Sequence, residues 1–285
     1  MPIDLSKMGK GAIVQPLKRK DYRLETVVGA VILPSKFSLR DKIGKIKNQG
    51  ESLSCVGQSF AYYGEALDRI EVNDNTELSA RDIYSLIYQP EGGAYAKDGA
   101  DKICNSGIVL EKDAPSYKNG MPMSENDMRW RNDINEEEVE NGKTYLAKNY
   151  VTWDNKNIEL FKQAIVQGNG CVIISWGNNY LWANASILLP DSPSQMVWRH
   201  QVYLIGYDDN KKVFEFVNSW GKEWGDVGFG CLPYEYITRG YVANPITLID
   251  VPNLTYVTMT SQIINLQQII IKFLQDLINK LKGRS

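Results

Sequence analysis

The sequence is sparing with the side chains that most often carry chemistry: 285 residues hold one histidine and four cysteines. A single imidazole concentrates any histidine-based proton transfer at one position, His200, because histidine is the side chain that titrates near neutrality. The cysteines Cys55, Cys104, Cys171 and Cys231 stand far apart, without the paired spacing of a zinc site, so neither a metal nor a cofactor is expected. There is no excess of one charge either. Thirty-two basic against thirty-four acidic residues leave a net charge of −2 with no basic block, which excludes a nucleic-acid footprint. No run approaches the ~18 apolar residues of a membrane-spanning helix. The opening MPIDLSKMGKGAIVQPLKRK lacks the apolar core of a secretory signal. Together these absences predict a cytoplasmic chain in a reducing compartment, without a disulfide framework.

What is present, 43% apolar and 23% charged residues, is the composition of a globular chain. Residues 1–32 read as a leader arm lying on the body, and residues 33–252 as the main domain. From Cys55 to Ile70 the apolar positions Val56, Phe60, Tyr63, Leu67 and Ile70 step by three and four, which predicts a half-buried helix with Cys55 in its first turn. Ser79 is placed to cap a second helix carrying Ile83, Leu86 and Ile87. The stretch Gln89–Gly99, rich in glycine, reads as loop, and the acidic run Arg129–Gly142 as solvated surface. Asn157–Gln167 forms a third helix. After Gly170 come short segments rich in Val, Ile, Tyr and Phe, among them CVIISW, VWRHQVYLIGY, KVFEFVNSW and NPITLIDV, which read as strands. The fold class is therefore α+β, with a helical lobe over about 50–150, a β-rich lobe over about 170–252 and a cleft between them. In residues 253–285 the positions Ile263, Leu266, Ile270, Phe273, Leu277 and Leu281 form one face of an amphipathic helix over 261–282, suited to self-association or a protein partner.

Three strings occur in a telling order: IKNQGESLSCVGQSF around Cys55, WRHQVYLIGY around His200, and NSWGKEWGDVGF after it. In this order they resemble the papain-like cysteine peptidases over about Leu33 to Pro252. The resemblance implies a papain-like two-lobed fold with an antiparallel C-terminal lobe, and hydrolysis of peptide bonds in a polypeptide substrate. It implies Cys55 as nucleophile, His200 as acid and base, Asn218 as the side chain orienting the imidazole, and Trp220 as cover for that hydrogen bond. It implies Gln49, with the Cys55 backbone N–H, as oxyanion donor, and Gly92 and Gly93 as the cleft wall that a substrate backbone approaches.

Residue chemistry supports these assignments. A free thiol is only a few per cent thiolate at neutral pH, and the thiolate is the nucleophile. At the first turn of a helix the sulfur meets unpaired N–H groups and the positive end of the dipole. A facing imidazolium lowers a thiol pKa to ~3–4, so an ion pair is the expected resting state.

The sequence also departs from the family pattern. Ser52-Leu53-Ser54-Cys55-Val56 stands where members usually have Cys-Gly-Ser-Cys-Trp, and the partner of that first cysteine would fall at Pro90. About thirty leader residues are too few for the long inhibitory prosegment of the family's zymogens, which leaves open whether the leader covers the cleft. Leu53 and Val56 keep two further readings in play: a non-catalytic interaction module on the same scaffold, and an acyltransferase or amidase using the same triad.

Overall fold

The computed structural model describes residues 3–16, 18, 21, 23–27, 31–153 and 156–249. The amphipathic helix expected over 261–282 lies outside them. The three-and-four periodicity after Cys55 becomes α1 (Cys55–Glu71), seventeen residues whose face of Val56, Phe60, Tyr63 and Ala66 is fully buried. Ser79 accepts from the Asp82 N–H and caps α2 (Ala80–Ile87). α3 (Ala96–Ser106) occupies the end of the stretch read as loop. Two short helices follow, α4 (Glu125–Arg129) and α5 (Glu136–Gly142). The acidic run supplies α5, opened by a capping box between Asn135 and Glu138, with its carboxylates in solvent. α6 (Ile158–Gln167) and α7 (Tyr234–Thr238) belong to the second half.

The strands are β1 (Ala12–Ile13), β2 (Lys36–Ser38), β3 (Ala94–Tyr95), β4 (Tyr117–Lys118), β5 (Met121–Pro122), β6 (Asn149–Thr152), β7 (Cys171–Gly177), β8 (Trp198–Asp208), β9 (Val213–Val217), β10 (Phe229–Pro233) and β11 (Val242–Ile249). Seven of them form one antiparallel sheet in the order β10-β9-β8-β7-β11-β6, with β2 paired to the far end of β8. β1 from the leader pairs with β3 in parallel, Ala12 opposite Ala94 and Ile13 opposite Tyr95.

The sheet is buried on both faces, which explains why its central strands read as unbroken apolar runs. Alternate residues serve two cores. Val172, Ile174, Tyr203 and Ile205 pack with α1, α2 and α3, while Ile173, Val202, Leu204 and Phe216 pack with α6 and the tryptophans Trp153, Trp182, Trp220 and Trp224. The start of β8 thus lies against the start of α1, and Gln201 Nε2 donates to Ser59 Oγ across that junction at 2.7 Å.

Beneath α1, Lys47 and Glu65 form an ion pair at 2.6 Å with side chains only 7% and 3% exposed. Glu65 also accepts from the Leu78 N–H, and Lys47 donates to the Leu78 carbonyl. Removing one partner strands the other charge in the interior. Glu65→Ala is therefore expected to cost about 3–5 kcal/mol of unfolding free energy by denaturant titration.

Candidate active site

The turn before α1 is built from short hydrogen bonds. Ser52 Oγ donates to the Gln49 carbonyl at 2.8 Å and lies 2.7 Å from Ser54 Oγ. The Leu53 N–H donates to Glu125 Oε2 at 2.7 Å, while Tyr84 Oη donates to Glu125 Oε1 at 2.6 Å and accepts the Gly93 N–H at 3.0 Å. One carboxylate thus ties the turn to the cleft wall in a chain that has Ser52 and Pro90 in place of a cysteine pair. Leu53 is not among the residues with left-handed backbone, so its Cβ is accommodated.

The sites singled out in the sequence converge here. Cys55 is fully buried at the first position of α1, and the Gln201 N–H, next in chain to His200, acts electrostatically in favour of its thiolate. His200 Nε2 bonds Asn218 Oδ1 at 2.8 Å, which commits that nitrogen as the donor and leaves Nδ1 as the acceptor. Nδ1 is buried and has no partner among the described residues. The Asn218 Oδ1 also accepts the Ser219 N–H at 2.8 Å. Trp220 stacks on the imidazole with centroids 4.5 Å apart and planes 24° from parallel, shielding the bond from water. Ser219 Oγ donates to Gln49 Oε1 at 2.6 Å, turning Gln49 Nε2 toward the Ser52 carbonyl at 2.7 Å and the Gly9 carbonyl at 3.2 Å.

Gly9 belongs to the leader, and the leader runs through this cleft. Its carbonyl also receives Trp220 Nε1 at 3.3 Å, and its N–H donates to the Gly50 carbonyl at 2.8 Å. The Gly11 N–H acts electrostatically on the Cys55 thiol, and the Gly11 carbonyl accepts the Ala94 N–H at 2.8 Å, leading into β1. The approach is so close that a Cβ on Gly9 would overlap the Ser52 carbonyl oxygen and one on Gly11 the Leu53 carbonyl oxygen. Gly93, at φ +77°, gives up its side-chain space to the Gly11 carbonyl, whereas the space beside Gly92 is taken by Leu53 Cδ1, 2.5 Å from where a Cβ would stand.

Covered in this way, both groups are driven toward their neutral forms, against the expected resting ion pair. Burial pushes the Cys55 thiol up to about 11, against the opposing pull of the Gln201, Gly11, Val56 and Cys55 N–H groups. Burial also lowers His200 to about 3, helped by the nearby Lys10 ammonium and opposed by the bond to Asn218. The ordinary ion-pair logic assumes a site open to water; here the leader and the tryptophans remove the water that would solvate either charge.

Arrangement and sequence define a class. Residues 33–240 match the papain family cysteine proteases, and the chain belongs to that family. It is 27% identical to a cysteine protease of Blomia tropicalis over 73% of this chain, and spans 62% of that protein's length. It is 24% identical to a peptidase C1-like protein of Acanthamoeba polyphaga mimivirus, over 81% of this chain and 79% of that one. Among solved structures it resembles xylellain, a cysteine protease from Xylella fastidiosa, with a TM-score of 0.73, 22% identity, and coverage of 86% of this chain and 97% of that one. The likeness in structure establishes the papain-like fold.

Several participants had no separate signal in the sequence. Ser219 lies inside the NSWG string, but its grip on Gln49 needs the two segments brought together. Glu125, Tyr84 and the leader glycines act through contacts distant in sequence. The single histidine makes the electrostatics directly measurable. Because its folded-state value is depressed, His200 should stay neutral as pH falls, with no imidazole NMR titration step near 6.5 in the full chain and protonation only toward about 3. A step between pH 6 and 7 would contradict the buried neutral pair.

Proposed function

We propose that the chain is a cysteine peptidase held latent by its own leader, and that Cys55, His200, Asn218 and Gln49 carry its chemistry. The observation that carries this reading is the 2.8 Å bond from His200 Nε2 to Asn218, which leaves Nδ1 buried and unpartnered, while the N–H of the next residue, Gln201, acts on the Cys55 thiol at its helix start. Once the leader withdraws and water enters, Nδ1 takes the thiol proton. The sulfur attacks the substrate carbonyl carbon, and the Gln49 Nε2 and Cys55 backbone N–H groups receive the oxyanion. The imidazolium returns its proton to the departing amine as the C–N bond breaks, leaving a thioester on Cys55. Water, deprotonated at Nδ1, then releases the acid and restores the thiol.

This chemistry explains why the leader survives in the cleft. The leaving amine must lie beside His200, on the Trp220 side, so a substrate runs from the Gly93 side toward Trp220. The leader runs the other way, from Gly9 at Trp220 to Gly11 and β1 at Gly93 and Ala94. Its peptide groups therefore meet the nucleophile in reversed order, and no leader amine is presented to the imidazole behind a carbonyl on the sulfur. The four free cysteines suit work in a reducing compartment, on a polypeptide substrate.

Displacing the leader by steric overlap tests both halves of the reading. The full-length double variant Gly9→Leu/Gly11→Leu should hydrolyse an acyl-peptidyl coumarin much faster than the wild-type chain. Adding Cys55→Ala or His200→Ala should abolish that activity with an unchanged circular dichroism spectrum, and Gln49→Ala should lower kcat by about 10²–10³-fold. Activity persisting without Cys55 would refute the nucleophile.

A further inference from the structure

Beside the imidazole is a corner of two indoles, of which only Trp220 takes part in the site above, as cover for the bond to Asn218. Lys10 Nζ stands 5.6 Å from the ring centroid of Trp198 and 5.7 Å from that of Trp220. Its hydrogen bond goes to the carbonyl of Leu5, also in the leader, and the carboxylate acting on it is Asp4, again in the leader. The body thus contributes aromatic faces to this half-buried ammonium, and what neutralises it travels with the leader.

The corner belongs to the body and is held by it. Trp198 opens β8 opposite Gly177, and its Nε1 donates to Asn179 Oδ1 at 3.0 Å. Trp220 is bridged to Asn48, and the following Gly221 N–H donates to the Lys47 carbonyl at 3.0 Å. The two rings meet edge to face at 5.9 Å, with Trp182 edge-on to both. His200 stacks on Trp220 and stands edge-on to Trp198 at 6.5 Å. The corner therefore survives departure of the leader and opens beside the group that protonates the leaving amine.

We propose that Trp198 and Trp220 form a seat for a cationic side chain, filled by Lys10 in the covered enzyme and by a lysine or arginine just after the scissile bond in a substrate. The inference rests on the peptidase reading for its second half only. Electron-rich indole faces attract an ammonium or guanidinium, while a neutral side chain of the same length gains only contact area and a carboxylate is repelled. The same seat would thus hold the leader down and select the substrate's leaving segment.

Two measurements decide it. In the full-length chain, alkylation of Cys55 by iodoacetamide, read by peptide mass spectrometry, reports how often the leader lifts. Lys10→Arg should alkylate at the wild-type rate, Lys10→Gln roughly three- to tenfold faster, and Lys10→Glu faster still. Equal rates for Arg and Gln would overturn the seat, and this arm needs no catalysis. In the Gly9→Leu/Gly11→Leu chain, quenched peptides differing only at the first residue after the cut should rank lysine above norleucine above glutamate, by roughly three- to tenfold per step in kcat/KM. Trp198→Leu in that background should bring the lysine to norleucine ratio to one. Equal rates for all three peptides, with the coumarin substrate still cleaved, would refute selection by the seat. Failure to cleave the coumarin substrate would instead refute the peptidase reading, leaving the alkylation series to judge the seat alone.

Discussion

The bond between His200 and Asn218 depends on a register, and the register on a sheet buried from both sides. β8 carries the imidazole inward only because its neighbours Gln201, Val202, Tyr203 and Leu204 alternate between two cores, and a slip of one residue would turn the ring to the opposite face. Gln201 fastens this strand to Ser59 of α1, so the sulfur and the ring are positioned by one junction of helix and strand. Asn218 arrives from the end of β9, two strand-widths of backbone pairing away from β7, and its main chain is held at both groups, the carbonyl accepting Tyr62 Oη at 3.2 Å and the N–H donating to the Gly228 carbonyl at 2.9 Å. The geometry is that of a site on rigid elements, with the variable parts confined to the turn before α1 and to the leader.

That turn shows how a lost constraint can be met by other chemistry. Where relatives would place a cysteine pair, this chain uses serine hydroxyls and a carboxylate. Glu125 holds the Leu53 amide and the Tyr84 hydroxyl, and Tyr84 in turn receives Gly93, so the nucleophile's turn and the cleft wall move together. Arg129 pairs with the same carboxylate at 2.7 Å and keeps its charge compensated. Such charge-assisted bonds are insensitive to reductant, unlike a disulfide.

Much of the frame was legible in the sequence because it is written in local periodicity. The three-and-four steps after Cys55, the Ser79 cap and the runs CVIISW and VWRHQVYLIGY each correspond to an element within a residue or two of the expected bounds, while KVFEFVNSW overruns β9 by three residues. α3 was not legible, and the reason is particular. Gly99 reads as a helix breaker, yet it lies inside α3 because the Phe60 ring comes within 2.7 Å of where a Cβ would be. Tertiary packing overrides propensity there. The path of the leader was equally hidden, since Gly9 and Gly11 carry no side-chain pattern and are fixed by carbonyls of Ser52 and Leu53 more than forty positions away. The charge state of the site could not be read either, because burial reverses what thiol and imidazole would do in water.

The plug in this cleft is part of the same molecule as the cleft, and that changes how it responds to concentration. While the tether is intact, the segment stays at an effective concentration set by the length of the connecting chain, so no amount of dilution empties the site. A cut just after Val14 would turn the contacts of the segment before it into a two-body equilibrium, while a later cut would leave it the further holds of Gln15 on Asn244 and Asp21 on Lys97. The shorter the peptide released, the weaker its hold, because it keeps the β1 pairing, Leu5, Ala12 and the Lys10 ammonium but not those later contacts. Scission would thus act as a one-way valve, since the freed peptide would meet the site again only at the low odds of a bimolecular encounter.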